Sequence, residues 1–314
     1  MAIEGIRIVG VVGSGLMGSG IALNFALAGY ETIMSDLDEG ALAGAMKRID
    51  TVLSMFNEEG LTDQAEAAAA VARIETTTDL DTLAKSSDFI TEAIVERLED
   101  KQELFRHLDQ VCPPHTVIVS NTSSLKLSDI GEGVGRQENL GLTHYFVPPH
   151  IVPGVEIAKG PGTSDATFEL LYDLMKAIRK VPIRVLKERS GYLINTINDA
   201  LAWEAGRLWA EGVASAEDIE LGIKSTMGFR MPYYGPFGHY DYSGTWRWPP
   251  DVLDKKLVPP DSIPARQDAE RSYKERLIEG PFFMDPDHMA EDEDRRDRDF
   301  IRRLKALYPR GEST

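Results

Sequence analysis

An apolar run that breaks into a glycine turn constrains this chain more than any other stretch. Ile6-Arg7-Ile8-Val9-Gly10-Val11-Val12 leads directly into Gly13-Ser14-Gly15-Leu16-Met17-Gly18, and Asp36 closes a second apolar run that begins at Glu31. A strand, a glycine turn, a helix start and an acid about twenty residues further on are the parts of a dinucleotide site. Gly13 permits the tight turn. Gly15 lets a pyrophosphate approach the backbone, and Gly18 lets the helix pack close to the sheet. The amides at the helix start, through Leu16 and Met17, then face the phosphates. Asp36 would accept hydrogen bonds from ribose hydroxyls and repel a 2′-phosphate, which favours NAD over NADP.

With 314 residues the chain can build two cores. Apolar, β-rich runs alternate with segments of helical period up to about residue 187. Strands are expected at 6–12, 31–36, 72–76, 88–94, 116–120, 139–146, 154–159 and 182–187, with long helices at 17–28, 39–56, 98–110 and 165–180. Alternation of this kind predicts an α/β fold with a mostly parallel, Rossmann-like sheet. The alanine-rich stretch Ala65 to Ala72 reads as the end of a helix. From Tyr192 to Glu211 the apolar residues recur at helical spacing (Leu193, Ile197, Leu201, Ala205, Leu208), and Ser215-Ala216-Glu217-Asp218 is an N-cap signal. The expected division is therefore 1–187 for the cofactor domain and 188–314 for a mainly α-helical C-terminal domain. Residues 259–264 read as loop and 291–305 as a charged, solvated helix.

The net charge of −17 argues against nucleic acid and against anionic membrane surfaces as partners. No apolar run has the length of a membrane span. The single cysteine, Cys112, rules out an internal disulfide, and the six histidines do not cluster at metal-ligand spacing. No metal is expected. A cytoplasmic enzyme is.

Two constellations carry candidate chemistry. Ser120-Asn121-Thr122-Ser123-Ser124 follows a strand directly, where side chains of a parallel sheet point into the ligand crevice. A plain turn explains the same residues equally well. His144 ends another apolar strand, and Glu156 stands twelve residues later inside Val155-Glu156-Ile157-Ala158. A carboxylate among apolar strand residues needs a partner, and a histidine is the natural one. Such a pair can be purely structural. It can also be a general base whose tautomer the acid fixes, able to take the proton of a substrate alcohol as hydride leaves.

On these segments the chain resembles the L-3-hydroxyacyl-CoA dehydrogenase superfamily over essentially its whole length. The resemblance runs through Gly13 to Gly18, Glu92-Ala93-Ile94-Val95-Glu96, Ser120 to Leu125, His144 to Glu156, Gly191-Tyr192-Leu193-Ile194-Asn195 and Gly235-Pro236-Phe237. It implies that His144 is the catalytic base and that Glu156 orients it. It implies that Ser123 and Asn195 bond the substrate oxygen or support the histidine, and that Glu96 and Lys101 lie by the cofactor ribose and nicotinamide. Asn121 falls in the same cofactor-facing turn. A homodimer built through the helical domain is implied as well. Three positions depart from the family pattern: Val147 stands where Asn is usual, Ser190 where Pro is, and Thr196 where Arg is. The C-terminal glycine-rich lysine segment of acyl-CoA members is absent.

Acyl-CoA carries phosphates, and acyl-CoA members are lysine-rich after the second strand. Here the stretch from Asn57 to Glu66 is acidic, which favours a small 3-hydroxy acid without CoA. The chain is similar in pattern to the non-CoA branches: L-gulonate 3-dehydrogenase (lambda-crystallin), carnitine dehydrogenase and the pyridine-carboxylate dehydrogenase of vitamin B6 degradation. The resembling stretches are Gly228-Phe229-Arg230, Pro148 to Pro153 and Asp285-Pro286-Asp287-His288. Arg230 is then a candidate anchor for a substrate carboxylate, and equally a candidate for an interface salt bridge. The aromatic residues between 229 and 248 fit a dimer core better than a substrate pocket. Oxidation of the CoA thioester and a structural, crystallin-like role remain the competing readings.

Overall fold

The computed structural model describes residues 3–58 and 60–249, with single positions 252, 287, 288, 291, 292 and 295 beyond them. Eight strands form one sheet: β1 (Ile8–Val12), β2 (Glu31–Ser35), β3 (Ile74–Thr77), β4 (Phe89–Glu92), β5 (Val117–Ser120), β6 (Leu140–Tyr145), β7 (Gly154–Ala158) and β8 (Val181–Val185). Their order is β3-β2-β1-β4-β5-β6-β7-β8. Every neighbouring pair is parallel except β6 with β7, which is antiparallel. The expected α/β class and mostly parallel sheet are borne out.

Helices α1 (Leu16–Leu27), α2 (Glu39–Glu58), α3 (Gln64–Ala72), α4 (Leu80–Ser86), α5 (Leu98–Val111), α6 (Leu127–Ile130) and α7 (Asp165–Ala177) connect the strands. α1 is buried on every side from Gly18 to Ala26, as its small and apolar composition requires. α2 buries a single stripe, Leu42, Ala45, Ile49, Val52 and Leu53, at helical spacing. One core collects residues of α1, α2 and α7 against the sheet, and a second those of α4, α5 and α6. A sheet covered on both faces has strands that read as continuous apolar runs, as β1, β4, β5 and β6 do; the edge strands β3 and β8 are more exposed.

Two expectations need correction. Residues 65–72 are not the end of a longer helix. They form α3, started afresh by a capping box: the Asp63 carboxylate accepts from the Glu66 amide at 2.8 Å, and Glu66 accepts from the Asp63 amide at 3.0 Å. Tyr192 and Leu193 are not helical. Gly191 and Tyr192 have φ of 74° and 44°, a left-handed turn, and α8 (Ile194–Ala210) begins after it.

The chain divides into two compact units, Met1–Ala202 and Trp203–Thr314. The described part of the second unit holds the end of α8, then α9 (Ala216–Ser225), α10 (Met227–Arg230) and α11 (Pro236–Tyr242). Within it Tyr234 stacks on Tyr242 at 5.0 Å. The proline-rich stretch 259–264 and most of 291–305 lie outside the described residues. Among the described residues no helix is long and apolar enough to cross a membrane.

Candidate functional site

The sheet order reverses between β1 and β4, and a crevice opens at the carboxyl ends of strands at such a point. The strand register sets these ends level. Val12 pairs with Glu92, Glu92 with Ser120, Ser120 with Leu142, and His144 with Glu156. Residues far apart in sequence thus arrive on one rim.

The glycine turn follows β1. Gly13 has φ of 97°, and a Cβ there would sit 2.6 Å from the Ala93 carbonyl oxygen. A Cβ at Gly18 would lie 1.8 Å from the Gly13 carbonyl oxygen, so the helix can close on the turn only with glycine there. Gly15 is the N-cap of α1 and supplies no side chain to its amides. A Cβ at Gly15 would meet nothing within 4 Å, so a ligand has room beside the backbone. Asp36, just past β2, turns toward this loop. Its Oδ2 accepts from the amide and the hydroxyl of Ser14, both at 2.7 Å, and its Oδ1 accepts from the Leu37 amide at 2.8 Å. Burial opposes its ionisation, but these hydrogen bonds outweigh it and hold the carboxyl below its usual value. The cradle, the open helix start and the acid fit a dinucleotide.

The next rim element is the turn 121–125. Asn121 Oδ1 accepts from the Tyr145 amide at 2.9 Å, tying β5 to the end of β6. Glu96 organises the rest. One of its oxygens accepts from the Ser123 and Ser124 amides (3.1 and 3.0 Å), the Ser124 hydroxyl (2.9 Å) and the Thr122 hydroxyl. Its other oxygen lies 3.3 Å from Lys101 Nζ. Lys101 is 1% exposed and pairs with the fully buried Glu92, which also accepts from the Ser120 hydroxyl. Partial burial raises the Glu96 carboxyl, but the Thr122 and Ser124 hydroxyls, the Lys101 charge and the Ser124 amide win and leave it at about 2.

That depression predicts an acid-sensitive clamp. The carboxyl titrates at about 2 in the fold, against an ordinary 4.5. Its contribution to stability is therefore complete above the ordinary value and disappears as pH falls toward the folded one. Thermal unfolding should show a gap between the parent and Glu96→Gln that is constant from pH 7 to about 5 and narrows below it. A gap independent of pH down to about 2 would remove the clamp.

His144 and Glu156 sit side by side on β6 and β7. His144 Nδ1 lies 2.8 Å from Glu156 Oε2; the ring is 4% exposed and the acid not at all. A carboxylate only accepts, so the shared hydrogen sits on Nδ1, and in the neutral ring Nε2 is then the nitrogen with the lone pair. Phe146 and Tyr192 flank the ring, with centroids at 4.6 and 5.9 Å. The other Glu156 oxygen accepts from the amides of Leu193 and Ile194, at 3.0 and 2.7 Å. The turn before α8 is stapled to the 121–125 turn as well. The Ser190 hydroxyl donates to the Ser124 carbonyl at 2.9 Å, the Tyr192 hydroxyl to that of Leu125, and the Asn195 amide nitrogen lies 3.5 Å from that of Ser123. Ser190, where the resemblance implies a proline, thus makes a bond that a proline could not. Thr196, where it implies an arginine, bonds its own helix start through the Tyr192 carbonyl at 2.7 Å.

These groups surround a cleft of 370 Å³ lined by Met17, Lys101, Asn121, Ser123, His144 and Asn195, with Val147 also on its wall. Val147 is 63% exposed, an apolar side chain where an amide would have offered hydrogen bonds. Leu16, at the start of α1, is exposed. Arg230 lies in the second unit at the end of α10, its Nε 3.3 Å from the Thr226 carbonyl oxygen. Sequence reasoning gave no role to Arg48, Glu92 or Ser190. Among the described residues no group of three or more His, Cys, Asp or Glu could hold a metal ion. A hydrogen-bond acceptor on a buried, acid-tethered imidazole, beside a dinucleotide cradle, can accept an alcohol proton.

Comparison with known proteins identifies the family. Residues 8–189 match the family model for the 3-hydroxyacyl-CoA dehydrogenase NAD binding domain, and residues 191–250 match that for its C-terminal domain. The mitochondrial hydroxyacyl-coenzyme A dehydrogenase of Homo sapiens is 36% identical over 244 residues, which is 76% of each chain. A lambda-crystallin homolog from Rattus norvegicus is 31% identical over 227 residues, 72% of this chain and 71% of the relative. The solved structure of a 3-hydroxyacyl-CoA dehydrogenase from Archaeoglobus fulgidus superposes with a TM-score of 0.74 at 27% identity, covering 96% of this chain and 99% of that one.

Proposed function

The chain belongs to the 3-hydroxyacyl-CoA dehydrogenase family, whose members are NAD-dependent oxidoreductases, and from that membership we propose that it oxidises the secondary alcohol of a small 3-hydroxy acid, with His144 as the general base. The observation that carries the proposal is the His144–Glu156 bond, which leaves Nε2 as an acceptor on a residue of the cleft wall. In this reading Gly13, Gly15, Leu16, Met17, Gly18 and Asp36 hold the dinucleotide. Bound NAD supplies the hydride acceptor. His144 takes the hydroxyl proton as the alcohol carbon is oxidised and returns it in the reverse direction. Glu156 keeps the ring in one tautomer and stabilises it once charged. Ser123 and Asn195 hold the substrate oxygen, while Glu96 and Lys101, with Asn121, lie by the cofactor ribose and nicotinamide, and Glu96 also keeps the 121–125 turn in place. Arg230 is the candidate carboxylate anchor. Residues 1–187 act as the cofactor domain and 188–314 as the substrate and dimerisation domain of a cytoplasmic homodimer.

Preference for a free acid rests on the acidic connection between α2 and α3. Glu58, Asp63 and Glu66 are acids in the stretch where the resemblance implies lysines in acyl-CoA members, which bind a phosphate-rich ligand. The Asp63–Glu66 capping box gives two of these acids a structural duty as well. The CoA thioester is the second reading, favoured by the names of relatives such as the human enzyme and the 3-hydroxybutyryl-CoA dehydrogenase of Clostridioides difficile, 34% identical over 234 residues. Parallel assays with NAD on 3-hydroxybutyrate-type acids and on their CoA thioesters separate the two. Turnover of the free acids supports the proposal, and turnover of thioesters alone defeats it. Absence of turnover on either set, with NADH bound, would favour the structural role instead.

A further inference from the structure

Arg48 lies on α2, outside the segments that mark the cofactor turn, yet its guanidinium reaches that turn. Nη2 donates to the Ser14 carbonyl at 2.6 Å, and Nε lies 3.4 Å from the Ser19 hydroxyl oxygen. Ser14 is 1% exposed and gives both its amide and its hydroxyl to Asp36. The Ser19 hydroxyl in turn donates to the Gly15 carbonyl at 2.9 Å. Three elements, β2, the glycine turn and α2, are thereby joined through one buried serine.

Two physical consequences follow from this placement. A peptide unit is planar, with its carbonyl and N–H on opposite edges. Drawing the Ser14 carbonyl toward α2 therefore turns the Gly15 N–H away from α2, on the turn that opens α1. That is the part of the turn where a Cβ would meet nothing within 4 Å. Neither partner of Arg48 is a carboxylate, so its charge is not cancelled by them and acts on the turn across the peptide. It adds to the positive end of the α1 dipole.

We propose that Arg48 is a positioning residue for the pyrophosphate of the bound dinucleotide: from the carbonyl edge it fixes the Ser14–Gly15 peptide with its N–H toward the phosphates. The proposal rests on the dinucleotide reading of the glycine turn. It assigns the two ends of the cofactor's adenylate half separately, the ribose to Asp36 and the phosphates to Arg48. A guanidinium is suited to the task because its rigid fork can hold a carbonyl and a hydroxyl at once.

The test uses the full-length chain. Arg48→Ala should raise the KM for NAD about 10-fold or more, the scale of one charge-assisted hydrogen bond, while kcat stays within about twofold. Arg48→Lys should recover part of the loss, since it restores the charge without the fork. As competitive inhibitors against NAD, ADP should weaken by a factor similar to that for NAD and adenosine should not change. Equal weakening of ADP and adenosine would mean that Arg48 merely supports the shape of the turn, and an unchanged KM would remove it from cofactor binding; either overturns the proposal. Should Arg48→Ala fail to fold, Arg48→Lys and Arg48→Gln carry the same comparison. Asp36→Ala is the control for the ribose end, and should weaken adenosine and raise the NADP-to-NAD ratio. An unchanged ratio there would sink the Asp36 assignment and leave the Arg48 result standing on its own.

Discussion

Replacing His144 with alanine is expected to lower kcat by about 10²- to 10⁴-fold, the usual contribution of a positioned general base. The loss should fall on kcat and on kcat/KM for the alcohol alike, because the proton leaves only as the reaction proceeds. Folding should survive. Glu156 loses its bond to Nδ1 but keeps the Leu193 and Ile194 amides on its other oxygen, so its carboxylate is not left bare. Binding of NADH, followed by its fluorescence, should be little altered, since the glycine turn and Asp36 make no bond to the ring. Steady-state kinetics across pH 6–10 would decide the matter. A variant within about tenfold of the parent rate would show that the imidazole is only a structural partner of Glu156.

The second large effect concerns stability. Lys101→Met should cost about 3–5 kcal/mol, the range for breaking a buried ion pair from one side. Lys101 lies 2.5 Å from Glu92, and both are buried. The methionine fills most of the space but leaves the Glu92 carboxylate with only the Ser120 hydroxyl and the Ile94 amide. Urea unfolding at neutral pH would measure the loss. The double variant Glu92→Gln/Lys101→Met should regain part of it, because the exposed cause, an uncompensated buried charge, is then absent. A single-variant loss under about 1 kcal/mol would mean that water reaches Glu92 and that the pair is not a keystone of the rim. The same substitution frees the Glu96 oxygen now facing Lys101, so the 121–125 turn should loosen with it.

All eight apolar runs read as strands are strands, and for the inner ones the reason is local. Away from the edge strands β3 and β8 the sheet is covered on both faces and buries nearly whole strands, so Val9, Val11, Ile90, Ile118 and Val119 need no partner to betray their place. Helices whose apolar stripe spans several turns were equally plain, as with α2. Shorter ones were not. α4 has seven residues and α6 has four, too few for a period to emerge. The glycine turn and the His144–Glu156 pair were visible because their residue types are costly where they stand. The reach of Arg48 and of Ser190 was not legible because nothing on the exposed face of a helix or in a turn marks which carbonyl a side chain will reach across the fold. Lys101 shows the same limit. Its place in the family pattern drew attention to it, but only the packing reveals that it is buried between two acids rather than presented to solvent.

The two family segments meet at residues 189 and 191, inside the turn whose amides, at Leu193 and Ile194, hold Glu156. The boundary between the two matched segments therefore runs through the contacts that hold the carboxylate partner of His144. A recombinant exchange of C-terminal segments between relatives, joined there, would inherit the sheet whole and still release Glu156 unless the incoming segment brought the same left-handed entry at Gly191 and Tyr192. The last strand ends before this junction, but the grip on Glu156 needs both sides of it.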